Sequence, residues 1–594
     1  MFQVIKDLRI GQVIEVSGTR ITIEIDAELS SLSRTYKGKV YSIGQIGSTL
    51  KIHFGRVILF ANVAMLRMKS ELNFDGNNIS LNSDSRIIEA DLIGQGSFNG
   101  GYLDFTRGVE VYPLPQQSAF LMTEAELNLL YTGAEKTIES EKSPLVPIGT
   151  YSGTNQICRA DINKLFGNHS AILGSTGSGK SGTVASILHS LIKHGKGVLN
   201  PRIIMIDPHN EYGKAFANDS LTYRAYSGSN DQENPYLEIK LPYWLMTSDE
   251  FRSLVIGKTE HEATTLNNIV YDAITYARMV CAGVVNRLED DAVGGAIPTL
   301  CDGKTEEDRI NFDRDKPTPF KLSDFKLHID KVQGRKLGLE ANLSQTGGRD
   351  RVESILKKLR LLVANPQLKF MLDEWKDDSI SLPKVLSQLV GKNGEEDKNI
   401  KIIDISGLPN EVAGLLTALI ARLIFQYKFW QSRSEREKDP VLLIFEEAHR
   451  YVPNNGDAQY KEAQSAIRRI AKEGRKYGLG LMLVSQRPSD VEKTVLSQCN
   501  SWIIMRLTNS VDQQYVSSFI PDNLSSLTKL LPSLIRREAI FVGEASAIPS
   551  RIKIATLEEH QIPASADIDF MKGWTSQLLE EYEIKNTLNR WISC

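Results

Sequence analysis

Residues 174–181, Gly-Ser-Thr-Gly-Ser-Gly-Lys-Ser, carry the spacing G-x-x-x-x-G-K-[ST] of a phosphate-binding loop. The glycines let successive backbone N–H groups turn inward around an anion, and a helix starting near Lys180 adds the positive end of its dipole. Nucleotide contacts are expected from Gly174, Ser175, Thr176, Gly177, Ser178, Gly179, Lys180, Ser181 and Gly182. Lys180 would reach the β- and γ-phosphates of ATP, and Ser181 would hold Mg²⁺. The second group is Glu446-Glu447, which follows apolar Val441 to Phe445 in a Walker B pattern. Successive side chains of a strand point to opposite faces, which predicts Glu446 on the metal and Glu447, at the strand end, on the water that attacks the γ-phosphate. The strand Leu481 to Ser485 delivers Gln486, placed to sense the γ-phosphate or to orient water. A fourth strand, Arg202 to Ile206, runs into Asp207-Pro208-His209-Asn210-Glu211, where Asp207 is a candidate catalytic group; an Asp-Pro turn at a strand end explains the same residues.

Such groups need a scaffold that ends several strands at one place. Apolar strands joined by helices predict a parallel α/β sheet over residues 146–243 and 396–545. Residues 1–145 differ, because short β-branched alternations separated by glycine, such as Gln12 to Val16 and Arg20 to Ile25, predict a small closed β-barrel. Residues 244–395 read as a helical insertion, with helices around Ala263 to Ala282 and Val352 to Ala364. Within it, 289–321 is a loop or partly disordered stretch poor in large apolar residues. Residues 546–594 are expected to make up a C-terminal segment. Between the second and third site strands lies a basic stretch, Ala466 to Gly478. Its Arg468, Arg469, Lys472, Arg475 and Lys476 are open to three readings: a solvated face, contacts to DNA phosphates, or a reach to a neighbouring subunit's ATP. Gly474 and Gly478 are expected to free Arg475 to project.

Composition narrows the class. The 594 residues carry a net charge of -3, so contact with nucleic acid has to come from a local basic surface. Five scattered cysteines without a C-x-x-C argue against a disulfide framework or a zinc site, and a reducing cytoplasm is expected. The longest apolar run, Val412 to Phe425, is broken by Arg422 and reads as a buried helix, so no membrane contact is expected.

The order of barrel, P-loop, Ile206 to Tyr212, helical insertion, Glu446-Glu447-Ala448-His449, Gly474 to Gly478 and Ser485 to Pro488 resembles the HerA family of the HerA–FtsK P-loop ATPases. That resemblance implies an α/β fold, with a RecA-like P-loop core, an N-terminal small β-barrel, a helical insertion and a C-terminal brace. It also implies a homo-hexameric ring that hydrolyses ATP with Mg²⁺ and translocates on double-stranded DNA, working with a nuclease or another effector protein, for example in phage defence. The alternative is an assembly platform that scaffolds and activates such an effector, with hydrolysis regulatory. A secretion or conjugation ATPase is less favoured. The family usually has Asp where this chain has Glu446. It further implies an arginine supplied across a subunit interface, with Arg475 the first candidate and Arg506 the second.

Overall fold

Strand alternation at the start of the chain produces β1 (Arg9–Ser17), β2 (Arg20–Ile25), β3 (Ser33–Tyr36), β4 (Lys39–Ser42), β5 (Thr49–Phe54), β6 (Val57–Asp75), β7 (Asn78–Asn99), β8 (Tyr102–Arg107) and β9 (Ser118–Leu121). The computed structural model describes residues 4–592 except 30, 76–77, 100–101, 136–143, 196–198, 226–235, 257–262, 292–295, 334–344, 374–380, 393–397, 455–460, 522–523, 566–567 and 576. Six strands run in the order β2-β1-β9-β5-β6-β7, and β2 pairs again with β7, so the expected barrel closes. β8 takes the rest of that β7 edge, and β3 with β4 makes a separate hairpin. The inward-facing residues Ile10, Val13, Ile21, Ile23, Leu50, Ile52, Leu59 and Ile88 form the barrel's core. Closure leaves these strands without the free edges that invite pairing with other chains.

The chain divides into two compact units, Met1–Pro201 with Arg436–Asp457 and Arg468–Ser565, and Arg202–Glu435 with Ala458–Ile467 and Ala566–Cys594. After the barrel come β10 (Leu145–Tyr151), β11 (Ile157–Asp161) and β12 (Ser170–Leu173), then β13 (Arg202–Asp207), β14 (Ser220–Arg224), β15 (Leu237–Glu238) and β16 (Ile400–Asp404). The last are β17 (Val441–Phe445), β18 (Leu479–Ser485), β19 (Ser501–Ile504), β20 (Glu538–Gly543) and β21 (Ser550–Ile554). In the first unit the order is β11-β10-β21-β20-β19-β12-β18-β17. The strands from β19 to β17 are parallel, and the rest of that sheet is antiparallel. Every residue of β12, β17 and β18 is buried, which is why their sequences read as unbroken apolar runs. Ser550–Ile554, assigned from sequence to the brace, is β21 and lies between β20 and β10.

In the second unit, β13, β16, β14 and β15 are parallel neighbours in that order. The insertion holds the helices Ala263–Cys281 and Gln345–Ala364. Arg278, 1% exposed, donates to the carbonyls of Met246 at 2.6 Å and Trp244 at 3.2 Å, so a buried cation ties that helix to the preceding turn. The stretch 289–321 is largely irregular, as expected, but it is anchored: Thr305 caps the short helix Glu306–Ile310, and Asp315 accepts the Ser248 N–H at 2.8 Å. Part of that expected loop, 292–295, lies outside the described residues. The helix Asn410–Trp430 extends the predicted run, and its 19-residue apolar window is long enough to cross a membrane. That window is 72% buried inside the fold, and Arg422 pairs with Glu250 at 2.7 Å, which makes it a core helix. Helices Phe570–Trp574 and Glu581–Ile592 end the described chain; residues 566–567, 576 and 593–594 of the expected brace, with Cys594 among them, lie outside it.

Candidate active site

The P-loop leaves β12 at Leu173, which is level with Ser485 of β18 and Ile504 of β19. Three neighbouring parallel strands therefore release their chains at one edge, and the helix Lys180–Gly195 starts from the loop's lysine. Gly177 and Gly179 stand at φ +74° and +103°, left-handed values that would cost any other residue about 1–2 kcal/mol. Lys180 is 8% exposed, and its Nζ donates to the Ser175 carbonyl at 3.3 Å, so the ammonium lies over the loop it is expected to serve. The Ser178 hydroxyl is buried and has no hydrogen-bond partner among the described residues.

The carboxylate pair departs from the expected strand geometry. β17 stops at Phe445, so alternation along a strand does not separate Glu446 from Glu447. Instead Glu447 adopts a left-handed backbone, φ 51° and ψ 49°, and this turn sets its direction. Strain of that kind persists where surrounding contacts over-determine it. Both glutamates are buried, at 6% and 5% exposure. Gln486 Nε2 donates to Glu447 Oε1, and Thr176 Oγ1 donates to Gln486 Oε1 at 2.5 Å, so one side chain joins the P-loop to the carboxylate. Glu447 Oε2 has no hydrogen-bond partner among the described residues, although His449 Nδ1 is 3.3 Å away. Burial lowers the His449 pKa below its ordinary value, against the pull of the Glu447 charge, and favours a neutral imidazole beside the carboxylate.

The two candidate arginines fall at opposite ends of the sheet. Arg475 is exposed in the short turn Gly474–Tyr477 that precedes β18. A strand of seven residues at about 3.3 Å each puts about 20 Å between that turn and the chain's own P-loop. The glycines do not free Arg475 as expected: Gly474 is buried, where a Cβ would meet the Leu479 carbonyl at 2.8 Å, and Gly478 supplies the left-handed cap at φ +70°. Arg506 follows β19 beside the P-loop, and its carbonyl accepts the Ser175 N–H at 2.8 Å. Its Nε is buried without a hydrogen-bond partner among the described residues. Arg506 thus stands beside its own chain's loop. Of the basic stretch, Arg468 is bound to both Glu492 oxygens at 2.6 and 2.7 Å, whereas Lys472, Arg475 and Lys476 are exposed.

Asp207 closes β13 in the second unit, in register with Asp404 of β16. Its two oxygens accept the N–H groups of His209 at 3.1 Å and Tyr212 at 3.0 Å, so the carboxylate caps the strand-end turn that the Asp-Pro pair begins. Burial, moderated by those amides and reinforced by the charges of Asp404 and Glu211, pushes its pKa up to about 7. Asp404 takes the cation, accepting from Arg224 Nε at 2.6 Å. One residue beside the P-loop was not legible from sequence: Arg537, whose N–H donates to the Ser178 carbonyl at 3.3 Å. Its signal is a backbone angle, φ +69°, that no motif encodes.

Residues 146–424 match the family model "Helicase HerA, central domain". A probable DNA double-strand break repair helicase HerA of Methanocaldococcus jannaschii is 28% identical over 436 residues, covering 70% of this chain and 76% of that protein. Residues 146–424 belong to the HerA family. Another HerA relative, from Sulfurisphaera tokodaii, is 26% identical over 474 residues, covering 79% of this chain and 78% of that protein. Among solved structures, VirB4 of Thermoanaerobacter pseudethanolicus aligns with a TM-score of 0.43 at 16% identity, over 70% of this chain and 97% of that one. This chain with a HerA central domain is a P-loop ATPase, with its loop, carboxylate pair and Gln486 gathered at the carboxyl ends of β12, β17 and β18.

Proposed function

We propose that this protein is an ATP-driven motor that translocates on double-stranded DNA as a closed hexamer and works with a nuclease or another effector. The observation that carries the hydrolytic part is the chain Thr176–Gln486–Glu447, which couples the loop that grips phosphate to a carboxylate whose second oxygen makes no hydrogen bond among the described residues. Glu447 Oε2 accepts the proton of the attacking water, Gln486 holds the carboxylate in place, and Lys180 offsets charge on the β/γ oxygens. The donors also suit a hard cation, since Mg²⁺ takes one or two oxygen ligands from protein and the rest from phosphates and water. Ser181 and Glu446 would hold it, and when bound it supplies charge neutralisation on the phosphates. The domain scheme that goes with this reading is a barrel at 1–145, a core at 146–243 and 396–545, an insertion at 244–395 and a brace at 546–594. Arg475, exposed and remote from its own loop, suits the role of a residue given to the next subunit; a non-closing head-to-tail contact would make filaments instead of a ring. The names of the relatives, repair helicases, support DNA as the substrate.

The test is ATP turnover with and without duplex DNA, with Lys180→Ala as the inactive reference. A motor is expected to be stimulated several-fold by duplex DNA, and Lys180→Ala to be silent in both conditions. Turnover indifferent to DNA would overturn translocation in favour of an assembly platform.

A further inference from the structure

The turn Ile535-Arg536-Arg537-Glu538 leads into β20 and closes with the Glu538 N–H on the Ile535 carbonyl at 3.0 Å. Its third residue, Arg537, is left-handed at φ +69°, a position that turns of this kind normally give to glycine. Three contacts keep it there. Its N–H reaches the Ser178 carbonyl of the P-loop at 3.3 Å, and its own carbonyl accepts the Ile554 N–H at 2.9 Å. Its guanidinium donates to Thr556 Oγ1 at 3.2 Å, and no carboxylate pairs with it among the described residues. Backbone strain retained against a ligand-binding loop, with an arginine whose charge is not spent, is the combination expected of a ligand clamp.

The direction of the clamp follows from its neighbours. Thr556 comes after Ala555, whose carbonyl accepts from Ser186 Oγ at 3.1 Å. Ser186 stands four residues after Gly182 on the P-loop helix, so both lie on one face. A Cβ added at Gly182 meets nothing within 4 Å, whereas one at Gly179 sits 3.7 Å from Arg537 Cγ. Arg537 and Thr556 therefore border an open space beside the first turn of that helix. The amides of a P-loop hold the α- and β-phosphates and its lysine the β- and γ-phosphates, so the nucleoside end leaves the loop along this first turn. We infer that Arg537, supported by Thr556, is a same-chain arginine that holds the α-phosphate and ribose end of the nucleotide. This rests on the reading of the loop as an ATP site.

Calorimetric titration with ADP and with inorganic pyrophosphate separates the possibilities. Arg537→Gly keeps the left-handed turn without strain, so a purely structural arginine would be replaced at no cost to affinity. The inference expects ADP affinity to fall about 10- to 100-fold, the range of hydrogen bonds to charged groups, and pyrophosphate affinity to fall much less. Arg537→Asn, which also tolerates the left-handed backbone, should reproduce the loss if the glycine variant folds poorly. Wild-type ADP affinity in both variants overturns the inference, as does an equal loss for pyrophosphate, which would put Arg537 on the β-phosphate. Lys180→Ala, run alongside, tells the two readings apart. If it loses ADP while the Arg537 variants bind normally, the clamp alone falls. If the wild type and Lys180→Ala bind ADP alike, the nucleotide reading falls and takes the clamp with it.

Discussion

Glu447 in one unit and Asp207 in the other are buried carboxylates just beyond or at the carboxyl end of a parallel strand, and their environments are opposed. Asp207 has both oxygens on backbone amides, and its neighbour Asp404 holds Arg224. Glu447 has one oxygen on the Gln486 amide, the other without a hydrogen bond among the described residues though 3.3 Å from His449 Nδ1, and a left-handed backbone beneath it. A buried polar group normally finds partners, because leaving one unmade costs about 1–3 kcal/mol. The satisfied carboxylate serves its own turn, and the other keeps an oxygen that a ligand or water could meet. Position at a strand end does not separate the two; the state of the oxygens does.

The contrast breaks most readily at Glu447. Glu447→Gln preserves the shape and loses the base, so hydrolysis should fall by about 10²–10⁴-fold while nucleotide stays bound, as single-turnover and retention assays would read. If Glu446→Gln produced that trapped state and Glu447→Gln did not, the two glutamates would exchange roles. Asp404→Asn should act on folding instead. It leaves Arg224, 11% exposed at the side chain, without its anion, and breaking such a pair costs about 3–5 kcal/mol, measurable as a lower denaturant midpoint. The smallest effect concerns Asp207. Its folded pKa, about 7, stands above the ordinary 3.8, so the native state keeps a proton that the unfolded chain releases. That contribution to stability is full below the ordinary value and is lost as pH rises through 7. The wild-type thermal midpoint should decline between about pH 4 and pH 7, and Asp207→Asn should flatten the decline. A slope unchanged by the substitution would assign it to other groups.

Legibility in the sequence followed the range of the interaction. The P-loop, the acidic pair and Gln486 were readable because each sits at the end of an apolar run whose residues are consecutive. The barrel was readable because β1 and β2 alternate, although its closure depends on β2 meeting β7. The direction of Glu447 was not readable: strand β17 ends two residues earlier than alternation assumes, and the backbone then turns left-handed. The two arginines were ranked without knowing which end of the sheet each occupies. Arg537 left no trace, since its tie to Ser178 joins distant parts of the chain through backbone atoms. Arg422 looked like an interruption of an apolar run and is instead the residue that fixes the helix Asn410–Trp430 to Glu250.

The placement of β12 between β18 and β19 has a consequence for synthesis. Thr176 meets Gln486 across 310 positions of sequence, so the P-loop leaves the ribosome long before the strands that complete it exist. At about 5–20 residues per second, that delay is about 15–60 s. A chain truncated between the P-loop helix and β18 carries the whole motif and neither of the strands that flank it. Retention on immobilised nucleotide would therefore sort finished molecules from unfinished ones, because affinity here depends on the last third of translation.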